Sequence, residues 1–170
     1  PSNFCDDFES GSFTAGNWTT SAGAEAAVSV GTTNPISGTF SAEFTGGATT
    51  GWAGGSNSTT SLQAWAATDH ISSIEMPLDL TATSGGIAMQ LDYNSISGGN
   101  PGSLDPGKFS YFRVLVNGNA IPDLNGNLDH YTPGLLTLQY SLSSFVGTIP
   151  IVTLQASCRS SNDIVFIDDL

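Results

Sequence analysis

Carboxylates are concentrated at the two ends of the chain, where their spacing could support metal binding. The first stretch, CDDFESG, places Asp6, Asp7 and Glu9 around one phenylalanine, and the last, DIVFIDDL, ends a strand-like run with Asp168 and Asp169. Alternate side chains of a strand point to opposite faces, so one of the two final aspartates continues the inward face. A carboxylate there needs a partner, because a buried unpaired charge is costly.

A metal cation is one such partner, since the chain has only 3 Lys and Arg against 15 Asp and Glu. Oxygen ligands favour calcium, which takes about 6 to 8 of them. If the first and last strands are neighbours, Asp7 or Glu9 could meet Asp168 or Asp169 at a single ion. The spacing leaves open the alternative that these are solvated acids at strand ends.

The organisation along the chain is a series of short strands. Six segments alternate apolar and polar residues, which is the period of a half-buried strand. They are GGIAMQLDY, SIEMPLDL, YFRVLVNGN, LLTLQYSL, IVTLQASC and DIVFIDDL, with AAVSV and FSAEF as weaker candidates nearer the start. Pro77, within SIEMPLDL, indicates an edge strand or a bulge. No segment keeps a helical period for long, so the sequence predicts an all-β fold, a sandwich of two antiparallel sheets.

Composition limits the function classes. The chain has 170 residues and a formal charge of −12, which predicts one domain spanning residues 1–170 and repulsion of phosphate backbones and anionic headgroups. No apolar run approaches the roughly 20 residues of a membrane span, so we expect neither a nucleic-acid partner nor membrane insertion. Abundant Gly, Ser, Thr and Asn favour a secreted or cell-surface protein, monomeric as an isolated domain. The start at Pro1 and the abrupt end at Leu170 favour a piece of a larger protein.

Two cysteines, Cys5 and Cys158, lie near opposite ends of the chain. They could form a disulfide if the terminal strands are neighbours and the Cα atoms lie within about 7 Å. Closing so long a loop could stabilise the fold by on the order of 5 kcal/mol. The secreted-type composition favours the disulfide, and the alternative is two separate buried thiols.

Several segments together carry a family resemblance. The opening DDFESGSFTAGNWTT, the middle MQLDYNS and FRVLVNGN, and the closing YSLSSFVGTIPIVTLQASCRSSNDIVFIDDL resemble the jelly-roll modules related to MAM domains and to bacterial cleaved-adhesin domains. The resemblance implies a β-sandwich of jelly-roll type with a structural calcium between the acids of the terminal strands. The implied ligands are Asp7, Glu9, Asp168 and Asp169. The additional cysteines of MAM domains are missing, which favours the bacterial surface branch.

The stretch PDLNGNLDH could mark a second ion site. An Asp or Asn occupies every second position: Asp123, Asn125, Asn127 and Asp129. However, Leu128 stands where a calcium loop needs glycine, and Gly134 stands where it needs a bidentate Glu. Asn125-Gly126 is also a strong hairpin-turn signal, so we favour a turn over a second ion.

Recognisable catalytic motifs are missing from the sequence. The only histidines, His70 and His130, each follow an aspartate directly. Neighbouring residues of a strand point to opposite faces, so neither pair is a ready-made catalytic dyad. A carboxylate pair for glycoside hydrolysis could form in the fold from Glu25, Glu43, Glu75 and the aspartates, but no compact acid motif of that kind and no nucleophile motif occurs. We therefore expect a protein that is not an enzyme.

Binding is the better functional hypothesis. Sugar-binding faces combine aromatic platforms with amide and carboxylate groups. Trp52 and Trp65 lie in or beside a long Gly/Ser/Thr region, which makes them the candidate ligand-binding residues, with core packing as the alternative. Trp18 fits the family pattern of the N-terminal segment and is assigned to structure. The sequence thus predicts a non-catalytic adhesion or carbohydrate-binding module with an extracellular glycan or surface protein as partner; the alternative is a structural spacer or accessory domain.

Overall fold

A computed structural model describes residues 4–46, 70–96, 111–130, 132–158 and 163–170. Within these ranges the chain forms ten strands and no α-helix. The strands are β1 (Thr19–Ala22), β2 (Ala26–Gly31), β3 (Ser41–Gly46), β4 (Ile71–Pro77), β5 (Ala88–Ile96), β6 (Tyr111–Val116), β7 (Asn119–Ile121), β8 (Leu136–Ser141), β9 (Ile151–Ser157) and β10 (Ile164–Asp168). A short 3₁₀ turn at Ser143–Phe145 separates β8 from β9.

The strands form two antiparallel sheets of five, which confirms the predicted all-β sandwich. Sheet A has the order β1-β4-β9-β6-β7, and sheet B has the order β2-β3-β10-β5-β8. Successive strands repeatedly change sheet, as expected of a jelly roll. The first and last strands therefore lie in different sheets, and β10 is central in sheet B.

The core lies between the sheets and comes from alternate positions of each strand. In β5, Leu91 and Tyr93 face inward, and in β10 the inward pair is Val165 and Ile167. These side chains meet a row from sheet A that includes Leu154, the centre of β9. The residues between them therefore point to the outer faces, which fixes where polar groups can serve a ligand.

The predicted strands are present, and so are the two weaker candidates, which form β2 and β3. Two strands, β1 and the three-residue β7, were not predicted from the sequence. All four residues of β1 are exposed, because it lies at the edge of sheet A and buries no apolar face. Pro77 lies at the end of an interior strand, beyond the last residue that β1 pairs with, Glu75. At Pro77, β4 therefore pairs only with β9, and the backbone N–H that proline lacks is not needed by a second neighbouring strand.

The predicted disulfide is wrong, since Cys5 and Cys158 are both free. The terminal segments do meet, because Asp6 and Leu170 exchange two backbone hydrogen bonds of 2.9 Å. Cys5, beside that contact, lines a cleft together with Val152. Cys158 comes six residues after Val152, just beyond the end of β9. At the rise per residue of a strand, this separates the two residues by roughly 20 Å. There its Sγ donates to the Phe44 carbonyl at 3.4 Å, and burial raises its pKa to about 12.

Candidate functional site

Asp168, one of the predicted ligands, is fully buried on the outer face of sheet B. Its Oδ2 accepts hydrogen bonds from the Ser37 N–H and the Ser41 hydroxyl, both at 3.0 Å. Its Oδ1 accepts one from the N–H of Asp169 at 3.0 Å. Burial raises the pKa of this carboxyl despite the three donors. The expectation that the inward-facing acid would be the buried one was wrong, because the β2–β3 connection covers the outer face here.

Glu9 reaches the same connection from the N-terminal segment. Its Oε1 accepts hydrogen bonds from the N–H groups of Thr39 at 2.7 Å and Phe40 at 2.9 Å. Gly38, between these donors and Asp168's partner Ser37, has a φ of +56°. A Cβ at Gly38 would overlap the Glu9 carboxylate. Glu9 and Asp168 therefore hold one loop from two directions.

Glu43 is a third carboxylate on this loop. It is 6% exposed, and it accepts from the N–H of Thr33 at 2.8 Å and from its hydroxyl at 3.0 Å. The sequence analysis assigned Glu43 no structural role, although the alternation of β3 places it on the face opposite Phe44. Its burial depends on the loop that covers this face, which strand periodicity does not predict.

The other two predicted ligands lie elsewhere. Asp7 and Asp169 are exposed and line a cleft of about 690 Å³ between the sheets. Asp7 accepts the N–H of Glu9 at 3.1 Å, and Asp169 leaves the strand with a φ of +50°. Within the described parts of the chain, no three His, Cys, Asp or Glu side chains gather as a metal site. The structure therefore divides the four acids into a loop-holding pair and a cleft-lining pair.

On the remaining half of the outer face of sheet B, polar side chains are exposed or, for Asp92, half-buried. On β5 the side chains of Gln90 and Asp92 alternate with core residues, and on β8 Thr137 and Gln139 do the same. The Gln139 Nε2 donates to the Gln90 Oε1 at 2.8 Å, and the Thr137 hydroxyl donates to the Asp92 Oδ1 at 2.6 Å. We call these four residues the polar strip. Its two bonded pairs stand about 7 Å apart along β5.

The mutual hydrogen bonds of the polar strip determine what the strip can do. They fix the side-chain conformations, so less conformational freedom would be lost on binding. They also leave donors and acceptors unused on an exposed surface, including the second oxygen of Asp92 and the carbonyl oxygen of Gln139. Such a surface can exchange hydrogen bonds with a hydroxyl-rich ligand. The alternation of the two strands gives the outward positions from sequence, but the pairing of β5 with β8 does not follow from it.

The acidic stretch after β7 forms a turn, as favoured over a second ion site. The Oδ1 of Asp123 accepts the N–H groups of Asn125 at 2.9 Å and Asn127 at 2.7 Å, and Gly126 has a φ of +90°. Asp129 points away to pair with Arg113 at 2.7 Å. The carboxylates are thus occupied separately by backbone and guanidinium donors.

His130 also has a buried, structural environment. His130 is 7% exposed and faces Asp123, with 3.6 Å between Nε2 and Oδ2. Burial lowers the pKa of His130. Its sequence neighbour Asp129 lies on the opposite side, as strand alternation predicted. This buried arrangement lacks the solvent access that a catalytic dyad requires.

Trp18 has the structural role expected of it. It is 5% exposed, its indole Nε1 donates to the Asp6 Oδ2 at 2.7 Å, and its ring lies 6.4 Å from that of Phe8. The candidate ligand-binding residues Trp52 and Trp65 lie outside the described residues, so their role stays a prediction.

Comparison with known proteins gives no family assignment from sequence. No family model matches the chain, and no curated protein matches it. None of the described residues forms a helix with the length and hydropathy of a membrane span. The resemblance to MAM-like and cleaved-adhesin modules therefore stays at the level of the jelly-roll β-sandwich.

Solved structures do resemble this fold. A family 61 carbohydrate-binding module in complex with β-1,4-galactotriose is 17% identical, covers 96% of this chain and 90% of its own, and has a TM-score of 0.56. A structure of carbohydrate-binding modules of the β-sandwich superfamily is 14% identical, with coverages of 95% and 58% and a TM-score of 0.50. The C-terminal family 22 module of Clostridium thermocellum Xyn10B is 16% identical, with coverages of 98% and 89% and a TM-score of 0.49. This chain shares the β-sandwich fold of carbohydrate-binding modules.

Proposed function

We propose that this chain is a non-catalytic carbohydrate-binding module of a secreted or cell-surface protein. The observation that carries the proposal is the exposed polar strip, held in place by the Gln90–Gln139 and Asp92–Thr137 hydrogen bonds. Hydrogen-bonding side chains fixed on a sheet face suit a ligand that presents rows of hydroxyl groups. The fold supports the same function, since the similar solved structures are carbohydrate-binding modules.

Charge favours a neutral glycan as the ligand. The polar strip contains one carboxylate and no cationic side chain, and the chain as a whole has a formal charge of −12. A polysaccharide rich in uronic acid or sulfate would be repelled by this field. The partner we propose is therefore an uncharged extracellular oligosaccharide or polysaccharide.

Trp52 and Trp65 remain the proposed aromatic platforms for the sugar ring. Either substitution, Trp52→Ala or Trp65→Ala, is expected to abolish glycan binding and to leave the melting temperature nearly unchanged. The paired measurements are affinity by calorimetry and thermal unfolding by circular dichroism. A large fall in melting temperature would instead indicate that the tryptophan packs in the core.

The experiment that tests the function is a glycan array with neutral and acidic arms, probed with the isolated chain in calcium-containing buffer. The first probe is β-1,4-galactotriose, followed by neutral β-linked polymers and by uronic-acid polymers of similar length. Saturable binding to the neutral arm alone is the expected result. Binding to immobilised matrix proteins without any glycan would instead favour an adhesion module.

We also propose a structural calcium ion that joins the chain ends. Its candidate ligands are Asp7, Glu9, Asp168 and Asp169, and the pair best suited is Glu9 with Asp168. The donor chemistry supports this pair, because both carboxylates contact the β2–β3 connection and the buried charge of Asp168 has only neutral donors among its described hydrogen bonds. A bound calcium would supply the compensating charge and neutralise part of the repulsion between terminal acids.

A structural spacer or accessory domain is the second candidate function. The observation that favours it is the use of the terminal carboxylates as loop anchors, which serves rigidity and needs no ligand. A folded sample that binds nothing on the array would support this alternative.

A further inference from the structure

A cluster of buried polar side chains lies between the sheets, beneath the turn that follows β7. It consists of Tyr93 on β5, Tyr140 on β8, and His130 and Asp123 from the segment that closes this end of the sandwich. Both tyrosines are 0% exposed, and His130 and Asp123 are 7% and 5% exposed. The His130 ring lies 6.0 Å from that of Tyr93 and 6.4 Å from that of Tyr140, measured between centroids.

Two polar atoms of this cluster are buried without a hydrogen-bond partner. They are the hydroxyl oxygen of Tyr140 and the Nε2 of His130, whereas the Tyr93 hydroxyl has the Ser95 side chain beside it. Asp123 Oδ2 faces His130 Nε2 from 3.6 Å, which is too long for a direct hydrogen bond. An unpaired buried polar atom costs about 1–3 kcal/mol, so two together call for a common partner.

The charges around the cluster define that partner. Among the described residues, Asp123 is the carboxylate that faces the cluster, and Asp129 is engaged with Arg113. Burial lowers the pKa of His130 and raises those of both tyrosines, so these three groups are neutral near pH 7. Neutral hydroxyl and imidazole groups offer donors together with acceptors, which suits a small neutral molecule that can itself do both.

We propose that the cluster is an internal hydration site, in which one ordered water bridges His130 Nε2 to the Tyr140 hydroxyl and to Asp123 Oδ2. A buried water typically makes about three hydrogen bonds to such groups. The water joins β8 to the segment from Asp123 to His130. That segment also caps the edge of β8, because the Leu124 N–H donates to the Gln139 carbonyl at 2.8 Å. The site thereby supports the strand that carries half of the polar strip.

The change in melting temperature caused by one substitution distinguishes a hydrated cluster from a dry one. Tyr140→Phe removes a hydroxyl that, on this proposal, is bonded to the water, so the melting temperature should fall by about 3 °C. In a dry cluster the same change deletes an unsatisfied group and should leave the melting temperature unchanged or raise it. Tyr111→Phe, whose hydroxyl makes only a long bond of 3.5 Å to Gln155 near the surface, serves as the matched control.

A second measurement keeps the proposal testable if a variant folds poorly. Amide hydrogen exchange at Asp123 and His130 should be slow in the wild-type protein and faster in Tyr140→Phe, because the bridging water holds this segment against β8. A crystal structure of the wild-type chain should show a water within hydrogen-bond distance of His130 Nε2. Exchange that is unaltered by the substitution, or a crystal structure with no water at this position, would overturn the proposal.

Discussion

The outer face of sheet B has two halves with different uses for the same kinds of side chain. On β3 and β10, Glu43 and Asp168 are buried under the β2–β3 connection and are occupied by its donors. On β5 and β8, Gln90 and Gln139 are exposed and bonded to each other. The polar residues are similar in type, and the covering loop decides which of them stabilise the fold and which remain available to a ligand.

This comparison predicts opposite consequences for substitutions in the two halves. Changes in the covered half should lower stability, because they leave buried donors without acceptors. Changes in the exposed half should lower affinity and leave stability nearly unaltered, because solvent replaces what is removed. The predictions below run from the largest expected effect on stability to the smallest.

Asp168→Ala is expected to have the largest effect. It removes the acceptor of the Ser37 and Asp169 N–H groups and of the buried Ser41 hydroxyl. Loss of about 3 kcal/mol of unfolding free energy should lower the melting temperature by about 10 °C. Asp169→Asn, at the exposed neighbour that already has a positive φ, should change it little. Equal effects of the two substitutions would contradict the assignment of Asp168 as the loop anchor.

Calcium removal should have the next largest effect if the ion joins the ends of the chain. Chelation followed by dialysis is expected to lower the melting temperature by several degrees, and added calcium should restore it, because the ion binds only the folded state. Magnesium at equal concentration serves as the control, since it demands a tighter octahedral site. Identical melting curves in chelator and in calcium would refute the proposed ion and leave Glu9 and Asp168 as hydrogen-bonded loop anchors.

Gly38→Ala tests the loop itself. The added Cβ would overlap the Glu9 carboxylate, and the alanine would have to keep a φ of +56°. We expect the two effects together to lower the unfolding free energy by about 2 kcal/mol. Gly85→Ala is the matched control, because Gly85 also has a positive φ of +89° but nothing within 4 Å of the added Cβ. Differential scanning calorimetry should therefore show a larger fall for Gly38→Ala. Equal falls would mean that backbone strain alone acts and that Glu9 does not hold the loop.

Strand periodicity predicted most of the fold, and the reasons for its failures are physical. It located the strands that bury one apolar face, but it did not find β1, whose four residues are all exposed, or the three-residue β7, which is exposed or half-buried. It predicted that an acid near the end of β10 would be buried, yet the buried one is Asp168, because the covering loop comes from a distant part of the chain. The predicted Cys5–Cys158 disulfide failed although the chain ends meet. Cys5 lies in the cleft with Val152, near the start of β9, whereas Cys158 follows the end of that strand.

The site was predictable only in part. The sequence placed Asp7, Glu9, Asp168 and Asp169 at the chain ends, and those ends meet through Asp6 and Leu170. The role of the four acids as calcium ligands stays a prediction. Their division into a loop-holding pair and a cleft-lining pair depends on backbone turns at Phe8 and Asp169 with positive φ. The polar strip depends on the register between β5 and β8, which residue types alone do not specify.

The measurement that tests the central claim most directly is the affinity of the Gln90→Ala/Gln139→Ala double variant for the best neutral glycan of the array. Calorimetry should show at least tenfold weaker binding with an unchanged melting temperature. Gln155→Ala, the same substitution on the outer face of sheet A, should bind like the wild-type protein. Wild-type affinity in the double variant would contradict the account, because the glycan would then bind elsewhere than on the polar strip.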